Sequence, residues 1–131
     1  SRRRYEMSTP VAAITQVAKT EFSAIVSDVE VVAWSQQGAR LVRIRLVDGS
    51  FLDIRITRAG DYSYHWEHRM NDGGLHRWDN APHHHQIATA PHHLHEGNET
   101  TVVESRLPTT SVADDVRYVL TYISNLISPH A

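Results

Sequence analysis

The stretch LVRIRLVDGSFLDIRI, which runs from Leu41 to Ile56, decides the fold because it predicts a β-hairpin. Apolar residues alternate with charged ones on both sides of a central turn, and this period of two is typical of half-buried strands. Both apolar sets must face the core, which a three-residue loop at residues 47–49 allows and a two-residue loop does not. The three-residue loop places Ile44 opposite Leu52 and puts Gly49 in the left-handed conformation of a bulged turn.

A second hairpin is predicted downstream, between strands at residues 62–68 and 75–79. A three-residue loop at residues 71–73 would place His65 beside Asp79. A carboxylate next to an imidazole fixes its tautomer and raises its pKa, which suits a general base. An ordinary cross-strand ion pair on the sheet surface is the alternative interpretation.

Helical periodicity predicts one helix before the hairpins. Its apolar positions between Val11 and Ile25 are three or four residues apart, and Thr9 as N-cap followed by Pro10 marks its start. The helix is expected to end near Ser27. The β-branched residues in 29–34 then predict a strand.

A second helix is predicted at the end of the chain, where Ser111 caps apolar positions of helical spacing from Val112 to Ile127. A turn at residues 36–38, an ordered loop at 81–98 and a last strand at 100–105 complete the elements. They predict a single-domain α+β protein, with a mainly antiparallel sheet of about five to six strands flanked by an N-terminal and a C-terminal helix.

Composition limits the classes of protein to which the chain can belong. It has 131 residues, a formal charge of -2 with neutral histidines, and no cysteine, which excludes disulfides and thiolate metal sites. No apolar run approaches the ~20 residues that span a bilayer, so we expect no membrane partner and a cytoplasmic location. Residues 1–8 are expected to be a flexible tail or a remnant of protein expression, and residues 9–131 to form the domain.

Histidines are concentrated in one short stretch, where six of the ten lie between residues 83 and 95. Imidazole is both a common metal ligand and the side chain best suited to proton transfer at neutral pH. Two His-His segments, each preceded by proline, are separated by a spacer of residues 85–91, which is long enough to fold back. We therefore expect the histidines of both segments to converge beside Arg77 and Asp79. A polar loop whose histidines pack and cap turns is the alternative.

Several of these motifs resemble one family. The segments YSYHW (residues 62–66), LHRWDNAPHH (75–84) and APHHLH (90–95) resemble the TumE family, the toxin side of toxin–antitoxin pairs, and the resemblance covers roughly residues 9–127. It implies a toxin whose partner is an antitoxin of the small DNA-binding type. The sequence leaves a homodimer open.

The first functional interpretation is a growth-inhibiting toxin that acts on RNA as a ribonuclease. One imidazole would take the 2′-hydroxyl proton, another would protonate the leaving oxygen, and Arg77 would stabilise the phosphorane. The candidate catalytic residues are His65, Arg77, Asp79, His83, His84, His92 and His93.

The second interpretation is a non-catalytic module that binds a metal or an antitoxin-like partner. The sequence requires no cofactor, but three imidazoles and a water could hold a divalent metal such as zinc. The candidate ligands are His83, His84, His92, His93 and His95.

Overall fold

Seven antiparallel strands form one sheet, and their order in the sheet is their order along the chain. The computed structural model describes residues 2–34 and 40–127. The strands are β1 (Val26–Trp34), β2 (Arg40–Leu46), β3 (Phe51–Ile56), β4 (Tyr62–His68), β5 (Gly74–Asp79), β6 (His93–Gly97) and β7 (Val102–Glu104). The helices are α1 (Arg2–Glu21), α2 (Arg69–Asp72) and α3 (Val112–Ser124). The predicted single-domain α+β fold is confirmed, with one strand more than expected.

The first hairpin, formed by β2 and β3, has the predicted register. Ile44 lies opposite Leu52, and Gly49 has a φ of 89°. The Leu46 N–H donates to the Ser50 carbonyl at 2.9 Å and closes the three-residue loop. The strict alternation of apolar residues in both strands therefore determines which side chains enter the core.

The two long helices contribute the apolar side chains that cover one face of the sheet. Their buried residues are Ile14, Val17 and Ala18 from α1, and Val116, Val119, Leu120 and Ile123 from α3. The predicted cap of α3 is confirmed, since the Ser111 side chain accepts the Asp114 N–H at 3.0 Å. Arg117 donates to Glu21 at 2.7 Å and joins the two helices at the surface.

The bounds of the first helix differ from the prediction. It begins at Arg2 and contains Pro10, although proline lacks the N–H that a helix interior uses. It ends at Glu21, and a turn follows in which the Phe22 carbonyl accepts the N–H groups of Ile25 and Val26. The assignment of residues 1–8 to a tail outside the domain stays a prediction. The predicted turn at residues 36–38 lies outside the described residues.

The predicted loop at 81–98 contains strand β6, which the sequence interpretation missed. His93 and His95 point to one face of the sheet and Leu94 to the other, and all three are buried. Buried histidines conceal the alternation of polar and apolar residues that normally reveals a strand. The last strand, β7, covers only the middle of the predicted 100–105.

The register of the second hairpin is shifted by two residues from the prediction. His65 lies opposite Arg77, and Asp79 lies opposite Ser63. The connection is longer than three residues because the one-turn helix α2 joins the strands. Its end is fixed by Asp72, whose carboxylate accepts the Gly74 N–H at 2.9 Å. A shift of two keeps each side chain on its predicted face.

The other face of the sheet, here called the helix-free face, carries charged and histidine side chains. Directly paired positions on five neighbouring strands form one row, which consists of Arg43, Asp53, His65, Arg77 and His95. The row places titratable groups side by side and supplies the platform of the site described below. Among the described residues, no helix combines the length and apolarity needed to cross a bilayer.

Candidate functional site

Three imidazoles meet on the helix-free face and are here called the imidazole cluster: His84, His93 and His95. One ring nitrogen of each lies within 4.8 Å of the others. The ring of His84 meets that of His93 edge-on, with 4.6 Å between the centroids. His93 and His95 are buried by the sheet and the loop, whereas His84 is half-buried.

Hydrogen bonds hold the loop that carries His84 over the sheet. The Ala81 N–H donates to the Asp79 carboxylate at 2.9 Å where the loop leaves β5. Near its other end, the Thr89 hydroxyl accepts the Ser105 N–H at 3.0 Å and donates to the His92 carbonyl at 2.6 Å. The loop is therefore tied to β5 at its start and to the end of β7.

Backbone carbonyls determine the tautomers of the two buried imidazoles. Nδ1 of His93 lies 2.9 Å from the Pro91 carbonyl oxygen, and Nδ1 of His95 lies 2.9 Å from that of Glu99. A carbonyl only accepts, so each Nδ1 carries a hydrogen and each neutral ring keeps its lone pair on Nε2. These two Nε2 atoms are 3.2 Å apart. At that separation the two Nε2 lone pairs can bind one shared cation.

Asp79 connects the imidazole cluster to Arg77. Its carboxylate oxygens lie 3.0 Å from Nε2 of His93 and 3.5 Å from Nε2 of His95. The same carboxylate accepts the Arg77 Nε–H at 3.1 Å. It is almost fully buried, so these contacts take the place of its hydration.

Glu99 occupies the outer edge of the Arg77 guanidinium, a contact that the sequence did not indicate. Its two oxygens accept hydrogen bonds of 2.7 and 2.8 Å from Arg77. The Arg77 guanidinium lowers the pKa of Glu99 to about 2, and the two carboxylates Glu99 and Asp79 raise the pKa of Arg77. Arg77 therefore binds one carboxylate on each of two sides, Asp79 through Nε and Glu99 through its outer nitrogens.

His65 does not have the neighbour that the sequence predicted. Its Nε2 lies 3.1 Å from the Glu67 carboxylate, and its Nδ1 lies 3.5 Å from an Arg77 nitrogen. The predicted contact with Asp79 is wrong, because the two-residue register shift moves Asp79 along the strand to a position opposite Ser63. Glu67 itself is held mainly by Arg69, which lowers its pKa to about 2.

The predicted convergence of four histidines is found for two of them. His84 and His93 meet, whereas Nδ1 of His92 lies 2.6 Å from the Tyr62 hydroxyl, and the side chain of His83 is exposed. Each His-His pair therefore sends only one of its two rings into the imidazole cluster. The catalytic and metal-binding roles of these residues stay predictions.

A cavity of about 510 Å³ opens beside the imidazole cluster, and its lining includes Arg55, Tyr62, Ser63, Arg77, Asp79 and Asn80. The Arg55 side chain is exposed and has no hydrogen-bond or ion-pair partner among residues 2–34 and 40–127. The sequence interpretation missed Arg55. The only available signal was its outward-facing position in the first hairpin, two residues after Asp53.

Comparison with known proteins identifies the family. Searches among curated proteins and among solved structures each found no match. A family model described as "Toxin TumE" matches residues 13–127, a range that contains all seven strands, the imidazole cluster and the residues named above as lining the cavity. This match extends over most of the chain, and the chain therefore belongs to the TumE family of toxins.

Proposed function

We propose that this toxin inhibits growth by cleaving RNA in the cavity beside the imidazole cluster. Membership of the family supports a toxin role and implies an antitoxin partner. The observation that carries the proposal is the position of Asp79, which lines the cavity and also contacts His93. Two arginines and Asp79 line the cavity, and the imidazole cluster adjoins it through the contacts of Asp79 with His93 and His95. The proposal includes a cytoplasmic RNA target and an antitoxin of the small DNA-binding type.

Two arginines support the binding of a phosphodiester. The guanidinium of Arg55 is exposed at the cavity and has no partner in the part of the chain that the structure describes, so it can donate two parallel hydrogen bonds to phosphate oxygens. Arg77 already makes such a bidentate contact with the Glu99 carboxylate. Because the Glu99 side chain is 51% exposed, a phosphate can displace it and take the same two hydrogen bonds.

Exposure favours His84 as the imidazole that reaches the substrate, because the other two rings of the cluster are buried. His84 would take the proton of a 2′-hydroxyl, and the 2′-oxygen would attack the adjacent phosphorus. The 5′-oxygen leaves with a proton returned by the imidazolium. The products are a 2′,3′-cyclic phosphate and a free 5′-hydroxyl, so atoms and charge balance.

The experiment compares cleavage of a single-stranded RNA with that of its 2′-deoxy counterpart. We expect the wild-type chain to release 2′,3′-cyclic phosphate from RNA only. His84→Gln should lower the rate by about 100-fold or more, as expected for a lost proton-transfer group. Arg55→Gln should weaken RNA binding.

Two variants serve as matched controls for this assay. His85→Gln removes an exposed imidazole next to His84, and Arg106→Gln removes an exposed guanidinium that is not among the residues lining the cavity. Both should cleave at the wild-type rate. Growth inhibition by a chain that neither binds nor cleaves RNA would contradict the proposal, as would full activity of His84→Gln.

A further inference from the structure

We propose that the imidazole cluster binds one divalent transition-metal cation, for which zinc is the appropriate probe. The three ligands are His84, His93 and His95, whose ring nitrogens already lie within 4.8 Å of one another. This inference does not rest on cleavage of RNA. A metal-bound imidazole has no lone pair left to take a proton, so the cleavage proposed above belongs to the metal-free chain.

The spacing of the two buried nitrogens fits a shared metal ion. Zinc binds imidazole nitrogen at about 2.0 Å in a tetrahedral arrangement, which separates two ligand atoms by about 3.3 Å. Nε2 of His93 and Nε2 of His95 are 3.2 Å apart. His84 is half-buried in a loop, so its ring can close the remaining distance with a small rotation.

The outer contacts of both rings are those of metal-bound histidines. A metal-binding imidazole usually donates its second N–H to a carbonyl or carboxylate, which fixes the ring and leaves the other nitrogen for the metal. His93 and His95 both have a backbone carbonyl in this position, at 2.9 Å from Nδ1. The Asp79 carboxylate beside both Nε2 atoms supplies negative charge next to the cation.

A single proton is the competing occupant of this space. It would sit on one of the two facing nitrogens and satisfy one lone pair as an imidazolium donor. A metal ion satisfies the lone pairs of all three rings at once. A set of three nitrogens also selects the class of metal, because magnesium and calcium prefer oxygen ligands whereas zinc, copper and nickel accept imidazole.

The test is a zinc titration of the full chain after treatment with a chelator, followed by calorimetry in the presence of a competing ligand. We expect one zinc per chain. His95→Gln and His84→Gln should each weaken zinc binding by more than about 100-fold. Loss of a residue that only hydrogen-bonds a ligand costs up to about 100-fold, and loss of a ligand should cost more. Asp79→Asn should weaken it by about 10- to 100-fold.

Exposed neighbours in the same loop supply the matched controls. His83→Gln and His85→Gln remove imidazoles that are not part of the cluster, and both should bind zinc as tightly as the wild-type chain. His84 is only half-buried, so its variant should keep the fold, which circular dichroism verifies. Cobalt provides a second readout, since a tetrahedral site gives a strong visible spectrum that His84→Gln should lose.

Two results would overturn the metal site. One is wild-type zinc binding that is no tighter than that of folded His84→Gln. The other is equal losses in His84→Gln and His85→Gln, which would indicate general binding to exposed imidazoles. Zinc binding by a chain that does not cleave RNA even when it is metal-free would leave the metal site standing and contradict only the proposed function.

Discussion

His93 and His95 face each other through their Nε2 atoms at 3.2 Å, while a backbone carbonyl holds each ring at Nδ1. This relationship arises because the two residues alternate with Leu94 along β6. Strand geometry puts both rings on one face, and the carbonyls then orient them. The cluster is consequently a product of the sheet, whereas the loop contributes only its third ring, His84.

Removal of the buried charge at Asp79 should destabilise the fold. One carboxylate oxygen of Asp79 accepts from Arg77 and the other accepts from Ala81. Asp79→Asn keeps the size of the side chain but replaces one of these two acceptors with an amide donor. We expect a loss of about 3 kcal/mol in the free energy of unfolding, typical of breaking a buried charge network. Urea denaturation measures it. Asp61→Asn, at an exposed position on the cavity rim, is the control and should change stability little.

The turn of the first hairpin should tolerate only residues that accept a left-handed backbone. At Gly49 φ is 89° and no atom lies within 4 Å of an added Cβ, so the cost of a side chain is conformational and not steric crowding. Gly49→Val should lower the free energy of unfolding by about 1–3 kcal/mol. Gly49→Asn should cost less, because asparagine adopts this conformation more readily. Equal thermal stability of both variants and the wild-type chain would contradict the assigned turn.

Periodicity was sufficient to predict the first hairpin to the residue, because two alternating strands flank a single left-handed glycine. It was insufficient for the second hairpin, where the Asp72 carboxylate binds both the Gly74 N–H and His68 and stabilises an extra helical turn. Side-chain contacts of this kind leave no periodic signal. For the site, clustering of histidines predicted the right region. The pairs His83-His84 and His92-His93 diverge, and this depends on backbone direction, which composition does not encode.

His76 should make stability depend on pH below neutrality. Nδ1 of His76 lies 2.9 Å from Nε2 of His68, and Nδ1 of His68 lies 2.6 Å from the Asp72 carboxylate. Tyr122 of α3 packs against the ring of His76. Burial, followed by the charge of His68, lowers the pKa of His76 from 6.5 to about 4, although Asp72 opposes this. The folded state therefore binds fewer protons than the unfolded state between these two pKa values.

The contribution of His76 is fully present above about pH 7 and is lost as pH falls from 6.5 towards 4. We expect the wild-type chain to lose about 2 kcal/mol more than His76→Phe between pH 7.5 and pH 5 in urea denaturation. The difference between the two chains cancels the titration of groups that do not contact His76, so it reports on His76 together with its hydrogen-bond partner His68. Parallel pH profiles for both chains would show that His76 does not titrate in this way.

Glu99 should compete with RNA phosphate for the Arg77 guanidinium. With a pKa of about 2, its carboxylate is ionised at all ordinary pH values and holds both outer nitrogens of the guanidinium. Glu99→Gln removes that charge and leaves Arg77 free on its outer edge. We expect tighter binding of single-stranded RNA, measured by fluorescence anisotropy at low salt. The slope of log affinity against log salt should steepen by about 0.7, which corresponds to one more phosphate contact.

Glu96→Gln provides the matched control, because it removes the same charge from an exposed glutamate of β6, where position 96 alternates with the cluster histidines 93 and 95. If RNA binding responded only to net charge, both variants would gain the same affinity. A gain confined to Glu99→Gln would identify Arg77 as a phosphate ligand. The double variant Glu99→Gln with Arg77→Gln should return to wild-type affinity or below it, since the released guanidinium is then absent. Equal gains in Glu99→Gln and Glu96→Gln, or a gain that survives the loss of Arg77, would exclude this role and leave Arg55 as the phosphate-binding group of the cavity.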